Sequence, residues 1–237
     1  MVSDDTTWTT AEAIKYEEFA EKSYSWRCIE EPSLRSLIAP FISQTSVALD
    51  LGCGGGRIIR LLQQLGVPEN AIFGIDRDQT LIQIARQKYP KAQLVRQDIT
   101  RTPYDEIPKI DLATAHLILQ HLGADDLLRC LAEVHRLLRP LGYLAVGLPH
   151  PVRVAQQAGV SYFARRSHPI PAPWGGQTTS SGLTVSDYLN CVIKAGFVLR
   201  RIAEPDICKW CQAASDAHAY VVGPTRLMML AQAQPIS

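Results

Sequence analysis

Asp50-Leu-Gly-Cys-Gly-Gly-Gly56 is the stretch on which the reading of the fold turns. It follows Val47-Ala-Leu-Asp-Leu51, a short apolar run that reads as a buried strand, and precedes Arg57 to Leu65, apolar at 58, 59, 61, 62 and 65 as one helical face requires. Glycines between a strand and a helix let the chain turn sharply and let a ligand pack on backbone, while the helix start offers unpaired N–H groups. Two phosphate-binding patterns fail here. The third glycine of G-x-G-x-x-G falls on Arg57, and no Gly-Lys-Ser/Thr follows.

Outward from this turn the chain alternates. Strands are expected at 71–75, 93–96, 110–115, 143–148, 197–202 and 226–230, with helices at 79–89, 125–138 and 185–195. Strands separated by helices pair in parallel through right-handed crossovers, so the expected fold is α/β, a doubly wound, Rossmann-like, mostly parallel seven-stranded sheet with helices on both faces. Residues 1–38 stand outside the alternation. Helical spacing over 11–38, with Tyr16, Phe19, Tyr24 and Trp26, predicts an N-terminal helical cap or lid, and 39–237 the main domain. An insertion at about 149–182, rich in Pro, Gly and Ser and carrying Arg165, Arg166, His168 and Trp174, predicts a second lid-like segment.

Composition narrows the function classes. The 237 residues are 46% hydrophobic and 20% charged, with 24 Lys+Arg against 23 Asp+Glu for a net charge of +1. That balance gives no general attraction to nucleic acid or anionic membranes. No apolar run approaches the roughly 18 to 20 residues that span a bilayer, and the amino end lacks a basic segment followed by an apolar one. The expectation is a cytoplasmic protein, monomer or homodimer, acting on a small molecule, with its six cysteines (28, 53, 130, 191, 208, 211) reduced and free. Cys208-Lys-Trp-Cys211 has zinc-ligand or redox spacing, but no second pair lies near it in sequence and it is far from any first βα turn, so neither a metal nor a redox motif is expected.

Positions 50, 52, 54 and 56 read acidic, Gly, Gly, Gly, and three further motifs follow in order: Ile72-Phe-Gly-Ile-Asp76, Val95-Arg-Gln-Asp98-Ile99, and Asp111-Leu-Ala-Thr-Ala-His116-Leu-Ile-Leu-Gln-His121. With Arg136-Leu-Leu-Arg-Pro-Leu-Gly142 they resemble the class I S-adenosylmethionine-dependent methyltransferases, clearly over residues 15 to 148 and weakly over the tail. The resemblance implies an antiparallel last strand and S-adenosylmethionine as cofactor, leaving as S-adenosylhomocysteine. It implies that Asp50, Gly52, Cys53, Gly54 and Gly56 form the loop under it, that Asp76 meets the ribose, that neighbouring Arg77 also belongs to the cofactor site, and that Asp98 and Ile99 hold the adenine. Ala115 passes beneath the methionine end, and Tyr16 reaches its carboxylate. A carboxylate suits a cis-diol because it accepts two O–H bonds, each worth about 1.5 to 3 kcal/mol.

The implied reaction is an in-line displacement by an O or N nucleophile of a small, aromatic or alkaloid-like metabolite. Placement dominates such a step, and a base is helpful only where the nucleophile carries a proton. His116, His121 and His150 are the candidate bases because all follow carboxyl ends of strands, where ligands bind in open α/β sheets. His135, within a helix, is expected at the surface. Tyr24, Trp26 and Trp174 are the candidate substrate contacts. The rival readings are a catalytically silent binding or regulatory subunit and a nicotinamide-dependent oxidoreductase.

Overall fold

The computed structural model describes residues 9–42, 47–207, 211 and 223–235. Apolar runs bounded by turns become strands β1 (Ala48–Leu51), β2 (Ile72–Asp76), β3 (Gln93–Arg96), β4 (Ile110–His116), β5 (Leu138–Pro149), β8 (Phe197–Ala203) and β9 (Arg226–Ala233). They form one seven-stranded sheet in the order β3-β2-β1-β4-β5-β9-β8. The β1, β2, β3, β4 and β5 pairings are parallel, whereas β9 runs antiparallel between β5 and β8. The order reverses at β1, and β4 lies on its other side, which opens a crevice at the carboxyl ends of these two strands.

Alternation along each strand sorts side chains to two faces. Leu49, Leu51, Ala113, Ala115, Leu144 and Val146 pack with α5 (Ala124–Leu137) and α7 (Val185–Lys194). Ala48, Leu112, Ala145 and Met228 pack on the other face with α2 (Glu31–Ile42), α3 (Arg57–Gln64) and α4 (Gln79–Lys88). Asp50, Thr114, His116 and Gly147 share the parity of that second face, so four non-aliphatic positions fall at the strand ends on one side of the sheet. Strand β5 begins five residues earlier than its apolar run suggests, because Leu138 pairs back to Ile110 across an irregularity in the ladder.

The amino-terminal segment folds as α1 (Thr10–Ala20), a π-helical turn (Trp26–Glu30) and α2. Thr9 and Glu12 close a capping box on α1. The 149–182 segment contains α6 (Pro151–Ala158) and a hairpin of β6 (His168–Pro171) and β7 (Gln177–Ser180). Among the described residues no helix is long and apolar enough to cross a membrane.

The cysteines depart from expectation. Cys28 of the π turn is disulfide-bonded to Cys211, 183 positions away, while Cys53, Cys130 and Cys191 are free and buried. Spacing along the chain carries no trace of a partner that far off. Cys208 lies outside the described residues, and among those described no group of three or more His, Cys, Asp or Glu is placed to hold a metal.

Candidate functional site

The glycine turn is locked by its neighbours. Gly52 has φ +67°, and a side chain there would begin 2.5 Å from Ile118, so both conformation and space require glycine. Its N–H and that of Cys53 bond to Ile75 O, tying the turn to the end of β2. Gly54, φ +51°, donates its N–H to Asp76 Oδ2 at 2.9 Å and lies beneath the Tyr16 ring. Gly56 caps α3 with φ +93° beside the Tyr89 ring. Cys53 is buried against Gly74, and burial pushes its thiol well up, as befits a packed residue.

Two carboxylates flank the turn. Asp76 Oδ1 accepts from Asp78 N at 2.8 Å; burial raises its pKa, opposed by the N–H groups of Asp78 and Gly54. Asp50 Oδ1 accepts from Thr114 Oγ1 at 2.8 Å, but its buried Oδ2 meets no donor among the described residues. Burial pushes this carboxyl up to about 7. Further along, Asp98 Oδ1 closes a turn on Thr100, its Oδ2 lies 3.8 Å from Arg77, and Ile99 is buried with its carbonyl on Tyr104.

Beneath the cap lies a charged cluster that the motifs do not reveal. Glu30 is buried with Oε1 2.6 Å from Arg226 and Oε2 2.9 Å from His116 Nε2, and Arg57 stands 3.8 Å away. Burial opposes the Glu30 charge, yet Arg226, then His116 and Arg57, hold its carboxyl well below the usual range. Arg57 lies over the Trp26 ring at 4.5 Å, donates to Ala20 O at 3.1 Å and reaches Tyr16 Oη at 3.4 Å. A charge on an apolar helical stripe was the available signal: Glu30 is one helical turn beyond Trp26, and Arg57 adjoins the buried Ile58 and Ile59.

The three histidines have different surroundings. His116 gives its Nε2–H to Glu30, burial lowers its pKa, and its buried Nδ1 has no partner among the described residues. The ring fits because Gly147, its register partner, has no side chain: a Cβ there would lie 2.3 Å from Nδ1. His121 keeps an exposed edge; Nδ1 gives its proton to Thr179 O at 2.7 Å, and Nε2 faces the Gln120 amide at 3.0 Å. Crowding by protein lowers its pKa, Thr179 notwithstanding. His150 caps α6, Nδ1 accepting from Val152 N and Nε2 facing Glu204 at 2.8 Å, so both nitrogens are committed and neither lone pair is available to a substrate. His135, expected at the surface, instead packs edge-on to Phe197 at 5.1 Å.

Three other expectations are redirected. Tyr24 gives its hydroxyl to Cys211 O at 2.7 Å and is buried away from the glycine turn, in a cluster with Cys28 and Ile207. Trp26 is fully buried between Arg57 and the core, where it supports the site from beneath. The Ala115 side chain belongs to the α5 face, so only its backbone reaches the crevice. Trp174, by contrast, meets Tyr16 edge-on at 4.9 Å and Phe19 at 6.2 Å, bringing the β6–β7 turn against α1. Arg165 forks onto Asp187 rather than standing free.

The comparisons agree with this geometry. Residues 49–146, the span from β1 to β5, match the model of the methyltransferase domain family. Over that span the chain is similar to a methyltransferase domain. A Mesorhizobium loti S-adenosylmethionine-dependent methyltransferase superposes with a TM-score of 0.69 at 21% identity, covering 90% of this chain and 100% of that one. Trans-aconitate 2-methyltransferases are 34% identical over 118 residues in Escherichia coli and 30% over 133 residues in Paracidovorax citrulli, covering 50% and 56% of this chain. These alignments span 45% and 48% of the two relatives, so the methyltransferase domain is shared over less than half of their length.

Proposed function

We propose that this chain is an S-adenosylmethionine-dependent methyltransferase acting on an O or N nucleophile of a small, aromatic or alkaloid-like metabolite. The observation that carries the reading is the pair of carboxylates flanking the glycine turn. Each Asp76 oxygen accepts one backbone N–H and keeps a second lone pair, which suits two ribose hydroxyls. The orphaned Asp50 Oδ2 suits a cationic group at the other end of the ligand. The residues present therefore fit the cofactor, with Asp76 on the ribose, Asp98 and Ile99 beside the adenine and Gly52 to Gly56 beneath the methionine end. When bound, the cofactor supplies a methyl group already activated on a sulfonium.

The chain's own task is placement, worth about 7 to 11 kcal/mol when a nucleophile is held in line. Tyr16, Phe19 and Trp174 gather beside the glycine turn and offer aromatic surface to a flat acceptor, which supports the aromatic class. Of the three histidines, His116 is the candidate for accepting a proton, through Nδ1, since His121 Nε2 already takes the Gln120 amide. A second reading, methylation of a carboxylate oxygen, is favoured by the relatives named for trans-aconitate, and it requires no base.

Thermal denaturation with S-adenosylhomocysteine and, separately, NADH tests the cofactor. At about 100 times the dissociation constant a specific ligand adds about 2.7 kcal/mol, and each kcal/mol raises the midpoint by roughly 2 to 4 °C. A rise with S-adenosylhomocysteine alone is expected; a rise only with NADH sinks the reading in favour of an oxidoreductase. Methyl transfer is then screened on phenols, aromatic amines and tricarboxylates. Cofactor binding without turnover on any of them would point to a silent binding subunit.

A further inference from the structure

Helix α1 lies across the glycine turn on few apolar contacts. Of its eleven residues only Ala13 and Ala20 are buried, while Tyr16 and Phe19 are half-buried and Ile14 is exposed. An element that buries so little apolar surface opens far more readily than the core. What holds it is largely polar. Lys88, in the last turn of α4, bonds to Glu17 and stands 3.7 Å from Glu21, and Arg60 of α3 meets Glu21 at 2.8 Å. Glu17 fills the space that a side chain at Gly55 would need, and Tyr16 covers Gly54. The recess left between α1 and the turn has a volume of about 290 Å³, its mouth included, below the roughly 300 to 1,000 Å³ usual for ligand pockets. The segment after α1 is anchored much more firmly: Trp26 is fully buried, Glu30 pairs with His116 and Arg226, and Cys28 is bonded to Cys211. Residues 21–23 join the two parts and belong to no helix.

We propose that α1 is a gate over the cofactor recess, turning on residues 21–23 and latched by Lys88 through Glu17 and Glu21. This rests on the cofactor reading above, which says what the recess admits. Lys88 is exposed, so the latch is an ion pair that salt screens and that thermal motion breaks often. Once lifted, a helix of 11 residues is too short to hold its own hydrogen bonds in water, so each opening bares its amides to exchange.

Hydrogen exchange on the full chain reads the gate at about 0.1 M and about 1 M salt, between which the screening length falls from about 10 to about 3 Å. Without ligand, α1 amides are expected to exchange at least about tenfold faster than those of α2, which buries Leu34, Leu37, Ile38 and Ile42. Raising the salt, or Lys88→Gln, should speed α1 exchange about two- to fivefold, the worth of one exposed ion pair, and leave α2 unchanged. The salt effect should shrink in Lys88→Gln. S-Adenosylhomocysteine should slow α1 exchange in wild type, and its association rate in stopped flow should rise in Lys88→Gln by about the same two- to fivefold. Exchange of α1 in step with α2, or at one rate in both salts and both proteins, would overturn the proposal. So would bound S-adenosylhomocysteine that leaves α1 exchange unchanged, and the cofactor reading would then stand without the gate. If S-adenosylhomocysteine does not bind, the cofactor reading fails and this inference with it.

Discussion

Asp76, Asp50 and Gly147 show how far single residues reach. Asp76→Ala should weaken S-adenosylhomocysteine binding by about ten- to two-hundredfold, the value of one or two charge-assisted bonds, and an unchanged calorimetric dissociation constant would remove Asp76 from the ribose site. Asp50 makes the protein pH-sensitive. Its folded pKa, raised to about 7 by burial, lies above the ordinary carboxylate value, so the folded state holds the proton more tightly. The Asp50 contribution to stability is full below about pH 4 and is lost as pH rises through about 7, by up to about 4 kcal/mol. Asp50→Asn should therefore melt higher than wild type at pH 8 and show a flatter midpoint profile between pH 5 and 8 in ligand-free protein. Gly147 shows that a glycine outside any turn can be required by a neighbouring ring, here His116.

At the scale of elements, strand alternation does most to build the site. It carries Asp50, Thr114 and His116 to the cap face and sends Ala115 to the opposite core, which is why a motif read as one block divides into site and packing residues. Helix capping decides His150. Its ring accepts Val152 N–H, so His150→Ala should cost about 0.5 to 2 kcal/mol in denaturant unfolding while leaving S-adenosylhomocysteine affinity within twofold. A large loss of turnover at unchanged affinity would return His150 to the chemistry. The strands and helices were legible because apolar period and turn chemistry are local properties. The histidine partners were not, because Glu30, Thr179 and Glu204 come from other parts of the chain.

Over the whole molecule, the longest-range links that hold the cap include the Glu30 cluster, which spans 196 positions to Arg226, and the Cys28–Cys211 disulfide. Closing so long a loop removes much freedom from the unfolded chain, and loss of such a link typically costs about 2 to 5 kcal/mol. Cys28→Ser should lower the melting midpoint by about 4 °C or more under oxidising conditions. Reductant should bring wild type down by a similar amount and leave the variant unmoved. A variant melting with wild type in the absence of reductant would show that the link contributes nothing to the fold.

The alternating pattern, the glycine turn after the first strand and the acidic end of the second were determined by sequence alone, since each rests on residues within a few positions of one another. The seven-stranded sheet and its crevice follow from them through the handedness of crossovers. Tertiary structure alone decided that Glu30 meets His116 and Arg226, that Cys28 finds Cys211, and that Trp174 closes on Tyr16. These partners lie 86 to 196 positions apart, and which of them meet depends on how the crossovers stack the cap and the last strands around β4. No local period encodes that stacking.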